Sequence, residues 1–320
     1  MFELIEEKDY ARTMEALVEP GLAALRREIE VPVTGGSLHA EAYEPEDARA
    51  AVVVLHGYTE SCEKFREMIW YFVRDGFAVY TYDHRGHGRS ARAVADTSIT
   101  HVDRFDDYLR DMERVMEDVV LPETAGMRRT LYAHSMGGAI GALTLIEHPD
   151  WFDRAVLTAP MIAASSAPFP RKLAQAIAAA ICLAGKAKER AFVGKPFDAQ
   201  SETFENSFST GRARFDYYEQ KRVRHAHLQN CSPSYGWLRE SLGVTDRLLK
   251  PQNAAKIKTP LLLCQAGMDT IVLLPEQERF VSQAAGAKLR RFEGAKHEIY
   301  GSDDAVMREY VPAVLSFLKG

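Results

Sequence analysis

Nothing in this chain points to a disulfide framework or a metal cluster. Its four cysteines (Cys62, Cys182, Cys231 and Cys264) are scattered over 320 residues, with no C-x-x-C and no metal-ligand spacing. That usage implies reduced, packed thiols and a cytoplasmic setting. A basic excess is also missing. With 40 Lys/Arg against 45 Asp/Glu the net charge is −5, which argues against a dedicated nucleic-acid binder. The longest weakly polar run, residues 173–185, is about half the roughly 20 residues a bilayer span needs. The start, M-F-E-L-I-E-E-K-D-Y, is acidic and has neither the basic opening nor the apolar centre of a secretion signal. Repeats and low-complexity linkers are lacking as well.

What is present centres on T-L-Y-A-H-S-M-G-G, residues 130–138. A short apolar run leads into Ser135, and a helix of small residues follows at once. A serine at the apex of so tight a strand-to-helix turn has strained backbone angles, so its neighbours two places away must be small. Ala133 and Gly137 meet that demand, although glycine is the usual residue at the first position. The gain is an exposed hydroxyl at the carboxyl edge of a sheet, with a helix N-terminus behind it.

Around this turn the chain alternates strands and helices. Residues 9–18 read as a short helix stopped by Pro20-Gly21, and residues 26–43 as a hairpin about Thr34-Gly35-Gly36. Ala51 to Leu55 is wholly apolar, as in a strand buried on both faces. A helix over 63–74, a strand over 78–82, a helix over 105–120 and a strand over 155–157 continue the rhythm. This predicts an α/β, mostly parallel, doubly wound sheet. The alternation breaks at Pro160 and resumes with strands over 261–265 and 288–292 and a last helix over 305–318. Residues 161–239 therefore read as a helical cap inserted after the sixth strand, with residues 1–160 and 240–320 as the body. Residues 161–230 carry 11 Lys/Arg against 6 Asp/Glu, and the remainder carries 29 against 39. A basic cap on an acidic body favours anionic substrates or peripheral contact with an anionic lipid surface.

A serine hydroxyl needs a base, and the base needs an acid to orient it. In a doubly wound sheet these partners belong in loops after later strands, in the order Ser, Asp, His. Asp269, in A-G-M-D-T-I-V, follows one late strand, and His297, in E-G-A-K-H-E-I, follows the next. The other nine histidines have no such placement; His56 reads as a brace of its loop and His134 as packing within the turn. The amide of Met136 is one candidate oxyanion donor. The amide of Tyr58, turned inward by Gly57 in H-G-Y-T-E, is the other. D-H-R-G-H-G-R-S, residues 83–90, lacks the spacing of a phosphate or dinucleotide loop. It reads as a structural loop, with Asp83 or Arg85 in an ion pair and Asp107 or Asp111 as possible partners.

These pieces together resemble the bacterial lysophospholipase and monoacylglycerol lipase family of α/β-hydrolases. H-G-Y-T-E, D-H-R-G-H-G-R-S, A-H-S-M-G-G, L-T-A-P-M and G-A-K-H-E-I follow that family's order. S-P-S-Y-G-W-L-R-E-S, residues 232–241, and the alanine before H-S-M-G-G resemble its lysophospholipase branch. The resemblance implies an α/β-hydrolase fold with Ser135 as nucleophile, His297 as base and then acid, and Asp269 as orienting acid. Tyr58 and Met136 would supply the oxyanion amides, with no metal and no cofactor. The implied substrate is a small lipid ester, a lysophospholipid or monoacylglycerol. A serine aminopeptidase or small-ester esterase of the same fold is the alternative. A peptidase would be expected to carry acidic residues near the cap to hold an amine, and the cap is net basic. Leu173, Ile177 and Ile181 are expected in an apolar wall of the acyl tunnel; packing against the body is the competing reading of that stretch.

Overall fold

The computed structural model describes residues 3–320. Eight strands form one sheet: β1 (Arg26–Val33), β2 (Gly36–Tyr43), β3 (Ala50–Leu55), β4 (Phe77–Tyr82), β5 (Arg128–His134), β6 (Arg154–Thr158), β7 (Leu261–Ala266) and β8 (Ala287–Phe292). Their spatial order is β1-β2-β4-β3-β5-β6-β7-β8. The β1–β2 and β2–β4 pairs are antiparallel, and all the others are parallel. In β1–β2 Val33 faces Gly36, so Thr34-Gly35 forms the expected two-residue turn.

The main helices are α1 (Arg66–Arg74), α2 (Asp106–Val115), α3 (Ser135–Glu147), α4 (Arg171–Ile181), α5 (Arg212–Arg224), α6 (Tyr235–Leu248), α7 (Leu274–Gln283) and α8 (Asp304–Lys319). Alternate residues of the central strands feed two cores. Ala51, Val53 and Leu55 of β3 pack with residues of α2, α3 and α7, while Ala50, Val52 and Val54 pack with residues of α1 and α8. The period-two side-chain geometry of a strand buried on both faces is the cause.

One expectation fails near the start. The helical stretch does not stop at Pro20-Gly21. A widened turn over Met14–Val18 precedes Pro20, which sits in the first turn of a further helical segment, Glu19–Leu25. Proline at that position forfeits no hydrogen bond the segment needs. A Cβ on Gly21 would lie 2.6 Å from the Trp70 ring, so glycine here makes room for a neighbour and does not mark an end.

Between β6 and β7 the chain adds α4, α5 and α6 but no strand of the main sheet. A short bridge of Ser232–Pro233 to Ile99–Thr100 ties this insertion to the body. Asn230 strengthens the tie, donating from Nδ2 to Gly86 O and Thr100 Oγ1, both at 2.8 Å. Helix α6, capped by Ser234 Oγ accepting from the amide of Trp237, runs unbroken through position 239. Arg85 meets Asp111 in a two-point ion pair (2.6 and 2.5 Å), so Asp111 and not Asp107 is its partner. No helix among the described residues is long and apolar enough to cross a membrane.

Candidate active site

β5 ends at His134 and α3 begins at Ser135, leaving no room for a relaxed turn. Ser135 accordingly has φ of 51°, a left-handed conformation rarely adopted by side-chain-bearing residues. Helix α3 lies so close to the end of β3 that a Cβ on Gly137 would fall 2.4 Å from His56 O. The small residues after Ser135 thus let the helix N-terminus stand directly behind the hydroxyl.

Three side chains from three separate loops meet here. His297 Nε2 lies 2.8 Å from Ser135 Oγ, and His297 Nδ1 lies 2.7 Å from Asp269 Oδ2. The Asp269 side chain is buried and also accepts from the amides of Ile271 (2.8 Å) and Val272 (3.2 Å). Burial pushes its carboxyl up, but the His297 hydrogen bond and those amides outweigh it, so it stays below the usual aspartate value. An ionised Asp269 fixes the Nδ1–H tautomer of His297 and leaves Nε2 free to accept the serine proton. His134 lies beneath, its ring 5.0 Å from that of His297. Burial, aided by His297, keeps it neutral.

The H-G-Y loop runs alongside. A Cβ on Gly57 would lie 3.0 Å from Ser135 Cβ, so only glycine allows the approach. The Tyr58 amide has no hydrogen-bond partner among the described residues. Met136 stands in the first turn of α3, where amides lack intrahelical acceptors. His56 braces the loop as expected: Nδ1 bonds Gly57 O at 2.7 Å, and Nε2 accepts from His84 N at 2.9 Å.

Sequence reasoning missed three charged residues that bind these loops together. Glu60, 3% exposed, accepts from Gly57 N at 2.5 Å through Oε2 and from the Tyr300 hydroxyl through Oε1. Lys64 bridges Glu60 (3.3 Å) and Glu298, the residue after His297. Glu60 stood in the H-G-Y-T-E motif, but nothing local shows that its carboxylate reaches a loop 240 positions away.

Ser135 and His297 open into a cavity of about 660 Å³, within the roughly 300–1,000 Å³ common for ligand sites. One part is apolar, with Met161, Ala164, Leu238, Leu242 and Ile271. Trp237 of α6 closes over the H-G-Y loop, its ring stacked on Tyr58 at 4.1 Å. Leu173, Ile177 and Ile181 are not in this wall. Helix α4 packs on α6, with Gln175 against Gly243 and Ala178 buried, leaving Leu173 49% and Leu183 90% exposed. The insertion lines the cavity with Arg214, Lys221 and Arg222 as well as Glu202 and Glu219, while the body adds Glu60, Glu63, Glu67 and Glu298 against Lys64 and Arg66. Away from the site, Glu28, His39 and Glu41 are close enough to share a cation, but Arg66 already occupies Glu41 at both oxygens.

Residues 46–304 match the Hydrolase_4 family, described as serine aminopeptidase, S33. The chain belongs to that family. Its relatives include lysophospholipase L2 of Escherichia coli K12, 32% identical over 279 residues that cover 83% of this chain and 79% of that one. Monoacylglycerol lipase of Mycolicibacterium smegmatis is 25% identical over 260 residues, covering 81% and 84%. The fold agrees with a Saccharomyces cerevisiae monoglyceride lipase at a TM-score of 0.73 and 18% identity, over 92% of this chain and 95% of that one. The Hydrolase_4 match and the lysophospholipase and monoacylglycerol lipase relatives accord with the resemblance read from the motifs, and the α/β-hydrolase fold is the one expected.

Proposed function

We propose that this protein is a serine carboxylester hydrolase that releases fatty acid from lysophospholipids or monoacylglycerols through an acyl-enzyme. The observation that carries the reading is the unbroken hydrogen-bonded line Ser135–His297–Asp269 at 2.8 and 2.7 Å. Ser135 Oγ attacks the ester carbonyl as His297 Nε2 takes its proton, and the oxyanion forms towards the amides of Tyr58 and Met136. His297 then protonates the departing alkoxide. Water, deprotonated by the same imidazole, cleaves the acyl-enzyme and frees Ser135.

The relatives' names and the apolar part of the cavity favour a fatty-acyl ester over a peptide. The lining glutamates are the specific point in favour of an aminopeptidase. In that reaction, however, the amine sits on the acyl fragment, whereas Glu298 and Lys64 stand on the His297 side, where the leaving group must lie. Fluorophosphonate labelling separates hydrolase from silent scaffold. Wild type should label and Ser135→Ala should not; equal behaviour of the two ends the reading. Fatty acid release from lysophosphatidylcholine should exceed hydrolysis of aminoacyl nitroanilides, and the reverse result would favour the peptidase.

The insertion also supports peripheral contact with an anionic lipid surface. On α4 and the turn after it, Leu173, Ala176, Ala180 and Leu183 face solvent along one stripe, with Lys172 and Lys186 near its ends. An outward apolar stripe flanked by lysines is the pattern of a helix lying in a membrane interface.

A further inference from the structure

The leaving-group side of the cavity carries more carboxylates than its cations can neutralise. Lys64, next to His297 through Glu298, is shared by Glu298 and Glu60. Tyr218 follows, its ring 5.2 Å from Lys64 Nζ. Beyond it Arg222 is shared by Glu219 (2.6 Å) and Glu202 (3.0 Å). Each cluster sets two carboxylates against one cation, so each keeps one negative charge in a partly dry wall. A further observation points to a missing partner: Glu219 Oε2, a buried atom, has no hydrogen-bond partner among the described residues. Burial also holds the Glu219 carboxyl above its usual value, even beside Arg222. A buried acceptor left open in this way is costly unless a ligand completes it.

We propose that this wall, with Tyr218, Glu219 and Glu202 at its centre, binds the ammonium of a zwitterionic lysophospholipid head group. The inference rests on the ester-hydrolase reading above and deepens it. The leaving oxygen must lie within reach of His297 Nε2, so the head group extends along Glu298, Lys64, Tyr218, Glu219, Arg222 and Glu202. Charge alternates along that track. Lys64, seated over the Tyr218 ring, and Arg222 give the phosphodiester a partner of opposite sign, and Glu219 Oε2 receives the ammonium. A neutral glycerol leaves these carboxylates as they are. A purely anionic head group meets uncompensated like charge.

The test compares kcat/KM on lysophosphatidylcholine, lysophosphatidylethanolamine, lysophosphatidylglycerol and monoacylglycerol of one acyl chain, in identical neutral-detergent micelles. Wild type should favour the two ammonium-bearing substrates by about tenfold over lysophosphatidylglycerol, the factor that roughly 1.4 kcal/mol supplies. Glu219→Gln and Glu202→Gln should each shrink that ratio severalfold; because it is a ratio, any loss of folded enzyme cancels. A wild-type preference for the anionic or neutral substrate overturns the inference, as does a ratio unmoved in both variants. Fluorophosphonate titration of Ser135 in the same samples keeps the two claims apart. A labelled enzyme without head-group preference refutes the ammonium site alone, whereas an unlabelled one refutes the hydrolase reading beneath it.

Discussion

Replacing Glu41 by glutamine removes one charge from an ion pair whose two side chains are both almost fully buried. Glu41, on β2 and 2% exposed, accepts two bonds from Arg66 (2.7 and 3.0 Å) and one from the Tyr43 hydroxyl (2.6 Å). Burial alone would push its carboxyl up. The Arg66 charge and the hydrogen bonds from His39 and Arg66 override that and bring it from 4.5 down to about 2. Holding the carboxyl that far below its usual value corresponds to about 3 kcal/mol at neutral pH. The folded value is depressed, so this contribution is fully present above about pH 4.5 and is lost as pH falls towards 2. At pH 3 less than half of it remains. Glu41→Gln also strands Arg66, 3% exposed, without its counter-charge, and a destabilisation of about 3 kcal/mol is expected at pH 7. Urea unfolding of both proteins at pH 7 and pH 3 measures the difference. Wild type should lose about 2 kcal/mol more than the variant over that interval. Parallel stability–pH curves, or a variant as stable as wild type at pH 7, would refute the argument.

Two further outcomes bear on the site and the insertion. Asp269→Asn should lower ester turnover by about 10⁴-fold, because asparagine cannot hold the Nδ1–H tautomer of His297, while the urea midpoint changes far less; near-normal kcat would mean that another acid orients the imidazole. Leu183→Asp, at a side chain 90% exposed, should weaken co-sedimentation with anionic phosphatidylglycerol vesicles severalfold and leave turnover of a soluble short ester unchanged. Undiminished sedimentation would remove α4 from any lipid contact.

The body of the fold was legible because its strands are continuous apolar runs and its helices amphipathic, so period and composition agree. Ser135, Asp269 and His297 could be picked out by their places after strands, since a doubly wound sheet brings the loops at its carboxyl edge together. The insertion was harder for a physical reason. Residues 173–185 are mostly small and apolar, so their sequence does not say which face is buried; in the structure Ala178 is buried and Leu183 faces water. Net charge could not show that the cavity's carboxylates come mostly from the body, where Glu60, Glu63, Glu67 and Glu298 join the insertion's Glu202 and Glu219. Pro20-Gly21 misled because the demand on glycine came from Trp70, 49 positions away, and not from the local backbone.

The partners of Ser135 lie far downstream, with His297 162 positions beyond it and Asp269 28 positions before His297. A chain growing from its N-terminus therefore exposes the serine turn long before the imidazole that would activate it exists. The Glu60 carboxylate waits likewise for Tyr300, 240 positions later, before the two loops are clamped together. On the proposed mechanism, Ser135 therefore gains its base only when the last strand and its loop dock against the sheet.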